Sequence, residues 1–150
     1  MLVFSNSLVR ISTFVLALCL GFAGCPAAHA ETIELQTVAA TEPGGKNAQV
    51  PESLAALRGD LAAMAFGTFA DAGKQAIKLS HKTPQGSVQV GSFTLEVTRL
   101  TADSIAVVVK KDKRPVMTPA KYEFNNQKTK QMQLPDGKKT LIVFFTLSKE

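Results

Sequence analysis

From Ser92 to Leu100, SFTLEVTRL, apolar and polar residues alternate without a break. Phe93, Leu95 and Val97 fall on one face and Thr94, Glu96 and Thr98 on the other, the period-two pattern of a strand with one buried face. Ser104 to Lys110 repeats it, with Ile105, Val107 and Val109 inward. Lys139 to Leu147, KTLIVFFTL, is apolar in both phases, which predicts a central strand covered on both sides. Shorter strands are predicted at 31–40 around Ile33, Leu35 and Val38, and at Phe66–Phe69, Gln75–Leu79, Ser87–Val90 and Gln131–Leu134. Val116 to Phe124 contains Pro119, which restricts part of it to an edge or a bulge. Turns are predicted at Asp71-Ala72-Gly73, His81–Gly86, Thr101-Ala102-Asp103, Lys111–Arg114, Asn125-Asn126 and Pro135-Asp136-Gly137.

The period changes once. In Pro51 to Met64, PESLAALRGDLAAM, the residues Leu54, Leu57, Leu61 and Met64 share one helical stripe. Pro51 suits a first helical position, and Glu52 suits the positive end of a helix dipole. Ala55, Ala56, Ala62 and Ala63 favour helix, while Gly59 weakens its centre. One helix over 51–64 follows. Pro43, Gly44, Gly45 and Asn47 mark a turn or linker ahead of it. Short strands about ten residues apart predict a mainly β (α+β) chain: an antiparallel β-sandwich or open barrel of about seven or eight short strands with one N-terminal helix.

The first thirty residues obey another rule. Arg10 is their one cation, an apolar run extends from Phe14 to Ala23, and no carboxylate precedes Glu31. That is the pattern of a secretory signal peptide, and the run is shorter than the about 20 residues a bilayer span needs. The predicted organisation is a signal peptide at 1–30, a short strand and linker at 31–50, and a single β-rich domain at 51–150. GFAGCPAAHAE, Gly21 to Glu31, offers two processing sites. Ala28-His29-Ala30 fits cleavage between Ala30 and Glu31, giving a periplasmic or secreted domain with no transmembrane span. The alternative is lipidation at Cys25, giving a lipid-anchored envelope protein. Phe22 stands where a lipidation site usually has Leu, and Pro26 follows the cysteine directly, so the pattern favours the soluble product.

Composition narrows the chemistry. Both cysteines, Cys19 and Cys25, lie in the export segment, so the mature domain has no disulfide, thiol nucleophile or cysteine metal site. The chain has 17 Lys plus Arg against 12 Asp plus Glu, a net charge of +5, and loss of Arg10 leaves about +4. This excess suits contact with anionic surfaces. It lacks the concentrated stripe with stacking aromatics that marks nucleic-acid binding. His81 is the one histidine left after processing. Glu96, Asp103, Asp112, Glu123 and Asp136 stand in separate strands and turns, so no spacing argues for an acid–base pair or a metal site. Arg58-Gly59-Asp60 resembles an adhesion tripeptide, but its place on a helix denies it the exposed loop apex such a signal needs. Pro43-Gly44-Gly45-Lys46 lacks the spacing and hydroxyl of a phosphate loop. The expectation is a non-enzyme with no cofactor and no metal; the alternative is a hydrolase assembled from distant carboxylates.

One electrostatic feature remains. Lys110, Lys111, Lys113 and Arg114 cluster in KKDKR, and Lys138 and Lys139 follow the Pro135-Asp136-Gly137 turn. If the last strands run as an up-and-down meander, the 111–113 and 135–138 turns share one end of the sheet, with 125–128 at the other. The six cations then form a rim suited to lipid headgroups, anionic polysaccharide or an acidic protein patch. The plainer account is a set of solubilising, edge-protecting cations diluted by Asp112 and Asp136.

The stretches LAALRGDLAAMAFGTF, VGSFTLEVTRL and LPDGKKTLIVFFTL run in the order striped helix, paired strands, closing hydrophobic strand. In this, Leu54 to Leu147 resembles small exported bacterial proteins of one domain. The resemblance implies a β-sandwich, brings no assigned activity and transfers no site residues. The functional expectation is an exported envelope or periplasmic module that binds another protein or supports an assembly. The alternative is a module that binds an anionic ligand or surface through the basic rim.

Overall fold

The computed structural model describes residues 30–41 and 48–149; the predicted signal peptide up to residue 29, with Cys25, and the turn expected at Pro43–Lys46 lie outside the described residues. Among the described residues, nine strands form two antiparallel sheets that stay open and do not close into a barrel. Sheet 1 has the order β2-β1-β9-β8, built from β1 (Glu31–Thr41), β2 (Thr68–Leu79), β8 (Thr129–Asp136) and β9 (Lys139–Lys149). Sheet 2 has the order β3-β4-β5-β6, from β3 (Gln85–Val90), β4 (Phe93–Thr101), β5 (Ser104–Lys111) and β6 (Arg114–Pro115), and β7 (Ala120–Glu123) also pairs with β5.

The inter-sheet core comes from the predicted phases. Leu95, Val97, Val107 and Val109 from sheet 2 meet Ile33, Leu35, Val143 and Phe145 from sheet 1, all almost fully buried. The outer face of sheet 2, with Thr94, Glu96, Thr98, Ala106, Val108 and Lys110, is half-exposed, in keeping with its alternation. Sheet 1 is covered twice. On its outer face Val38, Ala40, Ile142 and Phe144 form a second cluster with Leu54, Leu61, Phe66 and Phe69. This double cover is why KTLIVFFTL is apolar in both phases: β9 lies between β1 and β8 with the helical segment above it.

Several expectations change. The single helix over 51–64 is a 3-10 turn, Glu52–Leu57, running into a short α1, Arg58–Ala62, with Leu54 outside helical dihedrals at φ −109°, ψ 17°. Pro51 stands just before the first helical residue rather than at it. A segment this short gains little from propensity and takes the shape its packing dictates. The stripe still does its work: Leu54 and Leu61 are buried, and Leu57 and Met64 pack beside them.

The two short strands expected at 66–69 and 75–79 are one strand, β2 (12 residues), and Asp71-Ala72-Gly73 is a bulge rather than a turn. Thr37 pairs with Gly73 and Val38 with Asp71, leaving Ala72 as the extra residue. The leading strand is not a short preface to the 51–150 domain. β1 has 11 residues and pairs with β2 on one side and β9 on the other. Of the stretch Val116–Phe124 only Ala120–Glu123 is strand, the edge strand β7 directly after Pro119, while β6 lies before it at Arg114–Pro115. The last strands are no single meander, because the chain changes sheet between β7 and β8.

Candidate functional site

The basic residues occupy one end of the sandwich. Lys111 and Arg114 are the last pair before the β5–β6 turn, and Asp136 and Lys139 the last pair before the β8–β9 turn. The Nζ of Lys111 lies 4.0 Å from the Oδ1 of Asp136. The two turns therefore lie side by side although they belong to different sheets. The expected neighbourhood arises by sheet stacking rather than by a meander.

The six cations are not equivalent. Lys110 is tied to Glu96 at 2.6 Å on the outer face of sheet 2. Lys111 faces Asp136 and also sits 5.3 Å above the Phe93 ring. Asp136 further accepts a hydrogen bond from the Ser92 hydroxyl at 3.0 Å. Lys113, Arg114, Lys138 and Lys139 are exposed and have no ion-pair partner among the described residues. Four of the six cations thus lack a carboxylate neighbour among the described residues.

The turn that carries Lys113 is unusual. Asp112 and Lys113 both have positive φ, 51° and 65°. Two such residues in a two-residue hairpin define a type I′ turn, which ordinarily takes Asn-Gly or Gly-Gly because a side chain in the left-handed region costs about 1–2 kcal/mol. The neighbouring β8–β9 turn follows the usual chemistry, with Gly137 at φ 65°. Sequence reading recognised the charge of KKDKR but not its backbone, because no glycine marks the turn.

A groove of about 1120 Å³ runs along β8 on the other flank of the molecule. Thr129, Gln131 and Gln133 line its strand side; Asp60, Met64 and Phe66 line its helix side; Tyr122 and Lys130 close it toward sheet 2. It exists because the helical segment covers the middle of sheet 1 and stops short of its last strand. Tyr122 is stacked on Phe145 with ring centroids 5.4 Å apart, and burial pushes its phenol above the ordinary tyrosine value. Periodicity had no means of finding this groove, since it depends on where two non-adjacent elements fail to meet. A smaller recess of about 240 Å³ lies across the helical segment, lined by Glu34, Gln36, Leu57 and Lys74 among others.

The remaining titratable groups are dispersed. Glu31 and Arg99 form a nearly buried bidentate pair, with Nη2 to Oε1 at 2.8 Å and side-chain exposures of 6% and 9%. Asp103 binds Lys149 at 2.6 Å, and Glu123 binds Lys121 at 2.7 Å. The hydrogen bond from Lys121, followed by its charge, holds the Glu123 carboxyl below the usual range. His81 is exposed, its Nδ1 3.4 Å from an Arg99 nitrogen. Arg58, Gly59 and Asp60 are exposed on α1 and present no loop apex. Among the described residues, no group of three or more His, Cys, Asp or Glu side chains is placed to hold a metal ion. No described helix is long and apolar enough to cross a membrane. Ala30 precedes β1 directly, and Glu31 is its first residue.

Fold and surface together define an open antiparallel β-sandwich with one basic end and one uncovered edge groove. No protein-family model, curated protein or solved structure matches the chain.

Proposed function

We propose that this chain is an exported, non-enzymatic binding module that docks on an anionic surface of the cell envelope through its basic end. The carrying observation is the side-by-side placement of two hairpin turns that leaves Lys113, Arg114, Lys138 and Lys139 exposed and unpaired among the described residues. Four unpaired cations on adjacent turns make a local positive field, which attracts phosphate- or carboxylate-bearing surfaces and weakens as salt screens it. Lys113 adds support. Its turn holds it clear of the sheet with no carboxylate neighbour among the described residues. Less supports the carboxylate hydrolase. The larger groove carries one carboxylate, Asp60, and the smaller one carries Glu34.

Replacing Lys113, Arg114, Lys138 and Lys139 by Gln tests the reading. The wild type is expected to sediment with vesicles containing phosphatidylglycerol, less so as salt rises, and not with phosphatidylcholine vesicles. The fourfold variant should lose that retention with an unchanged circular dichroism spectrum. Retention equal to wild type removes the basic end as the docking surface. Retention on anionic polysaccharide alone would move the surface from lipid to glycan while keeping the site.

A further inference from the structure

The edge strand β8 is unusually well provided for a partner. Lys128 and the β8 residues pair with β9 in one register, and the Leu147 N–H donates to the Lys128 carbonyl at 3.2 Å. In an antiparallel ladder the hydrogen-bonded phase alternates, so Lys130, Met132, Leu134 and Asp136 turn their backbone groups toward β9. Thr129, Gln131, Gln133 and Pro135 then point theirs away, toward the free edge of sheet 1. Pro135 has no N–H to offer and closes this row at one end, where an edge strand tolerates proline. Three consecutive outward residues keep both donor and acceptor.

The groove wraps this edge on both sides. On the helix side it presents Ala63, Met64 and Phe66. On the sheet 2 side it presents Tyr122, Lys128 and Lys130. Lys128 has no ion-pair partner among the described residues, and Lys130 donates to Gln127 at 3.1 Å. A strand laid along β8 would send alternate side chains to these two walls, one mainly apolar with Asp60 beside it and one cationic.

We propose that the groove along the free edge of β8 receives an extended segment of a partner protein in which apolar and acidic residues alternate, added as a further strand of sheet 1. The apolar residues cover Met64 and Phe66, and the acidic ones face Lys128 and Lys130. A second copy of this chain fits less well, because pairing β8 with itself would gather the lysines of both copies. This surface is separate from the basic end.

The probe is a short synthetic peptide alternating valine and glutamate, compared with one alternating valine and lysine, added to the mature chain. Amide hydrogen exchange should show Thr129, Gln131 and Gln133 unprotected in the free protein and protected with the glutamate peptide. The fluorescence of Tyr122, the single tyrosine of a chain without tryptophan, should change with it. The lysine peptide should bind at least about tenfold more weakly. Gln131→Pro removes an outward N–H while sparing the β8–β9 ladder, and should lose binding about tenfold or more with a thermal midpoint close to wild type. Ala63→Trp fills the groove from the exposed residue that follows α1 and should do the same without touching the strand. Both variants should leave vesicle retention unchanged, which separates this surface from the basic end. Unprotected Thr129, Gln131 and Gln133 amides with glutamate peptide in excess overturn the proposal, as does wild-type binding by both variants. Protection of these amides in the free chain, together with a dimer in sedimentation, overturns it in favour of a second copy.

Discussion

Lys113 occupies a backbone position for which glycine is the ordinary choice. The strain of a left-handed side chain, about 1–2 kcal/mol, is partly offset because glycine gives up more conformational freedom on folding. Lys113→Gly should therefore raise stability by about 0.5–1 kcal/mol in denaturant unfolding while weakening retention on anionic vesicles. A variant that gains stability and keeps full retention would show that the lysine has no docking role. The Glu31–Arg99 pair makes the opposite case. It joins β1 of sheet 1 to β4 of sheet 2, and both side chains are nearly out of water. Arg99→Gln leaves the carboxylate of Glu31 without its charged partner and should cost about 3 kcal/mol in the same measurement. Arg99→Gln paired with Glu31→Gln should recover much of that loss, since no buried charge is left uncompensated. None of this was legible in the chain: Glu31 and Arg99 are 68 positions apart, and charged residues at strand ends have no periodic signature.

Among the elements, periodicity told most where one face decides the sequence. β4 and β5 lie where the alternation put them, and β9 is doubly covered as its unbroken apolar run demands. The failures are equally physical. β2 reads as two strands around a turn because Asp71-Ala72-Gly73 has turn chemistry, and a bulge uses the same residues for the same local reason. The leucine stripe identified the buried face of 51–64 but not its backbone, since two short helical pieces satisfy Leu54 and Leu61 as well as one regular helix would. Leu61, fully buried beneath α1, should be the segment's main attachment. Leu61→Ala is expected to cost about 3 kcal/mol, read from the shift in the unfolding midpoint. If the segment were merely resting on the sheet, the loss would stay below about 1 kcal/mol.

At the scale of the molecule, the two ends of the sandwich carry different things. Glu31 pairs with Leu79 and Lys149, whereas Thr41 pairs with Lys139 beside the basic turns. The 11 residues of β1 span about 35 Å at the usual rise per residue, and a fully extended chain from Cys25 to Glu31 reaches about 20 Å. With β1 upright on its basic end, Glu31 stands beyond the reach of a lipid anchor on Cys25, so both can engage one bilayer only if the sandwich tilts. The intact mass of the mature protein, expected to correspond to a start at Glu31, decides between them. An acylated Cys25 would require that the fourfold Gln variant associate with the anchoring membrane as the wild type does.

The sequence by itself determined the class of fold, the inward phase of the main strands, the doubly covered strand and the clusters of basic residues. Each of these is written in residues close together in the chain, where period and turn chemistry act. Only the tertiary structure decided that β1 sits within sheet 1, that the two basic turns are neighbours, that Lys113 is held in the left-handed region, and that the edge of β8 opens into a groove. Those properties come from contacts between elements distant in sequence, and a single chain read residue by residue carries no record of which surfaces its folding brings together or leaves apart.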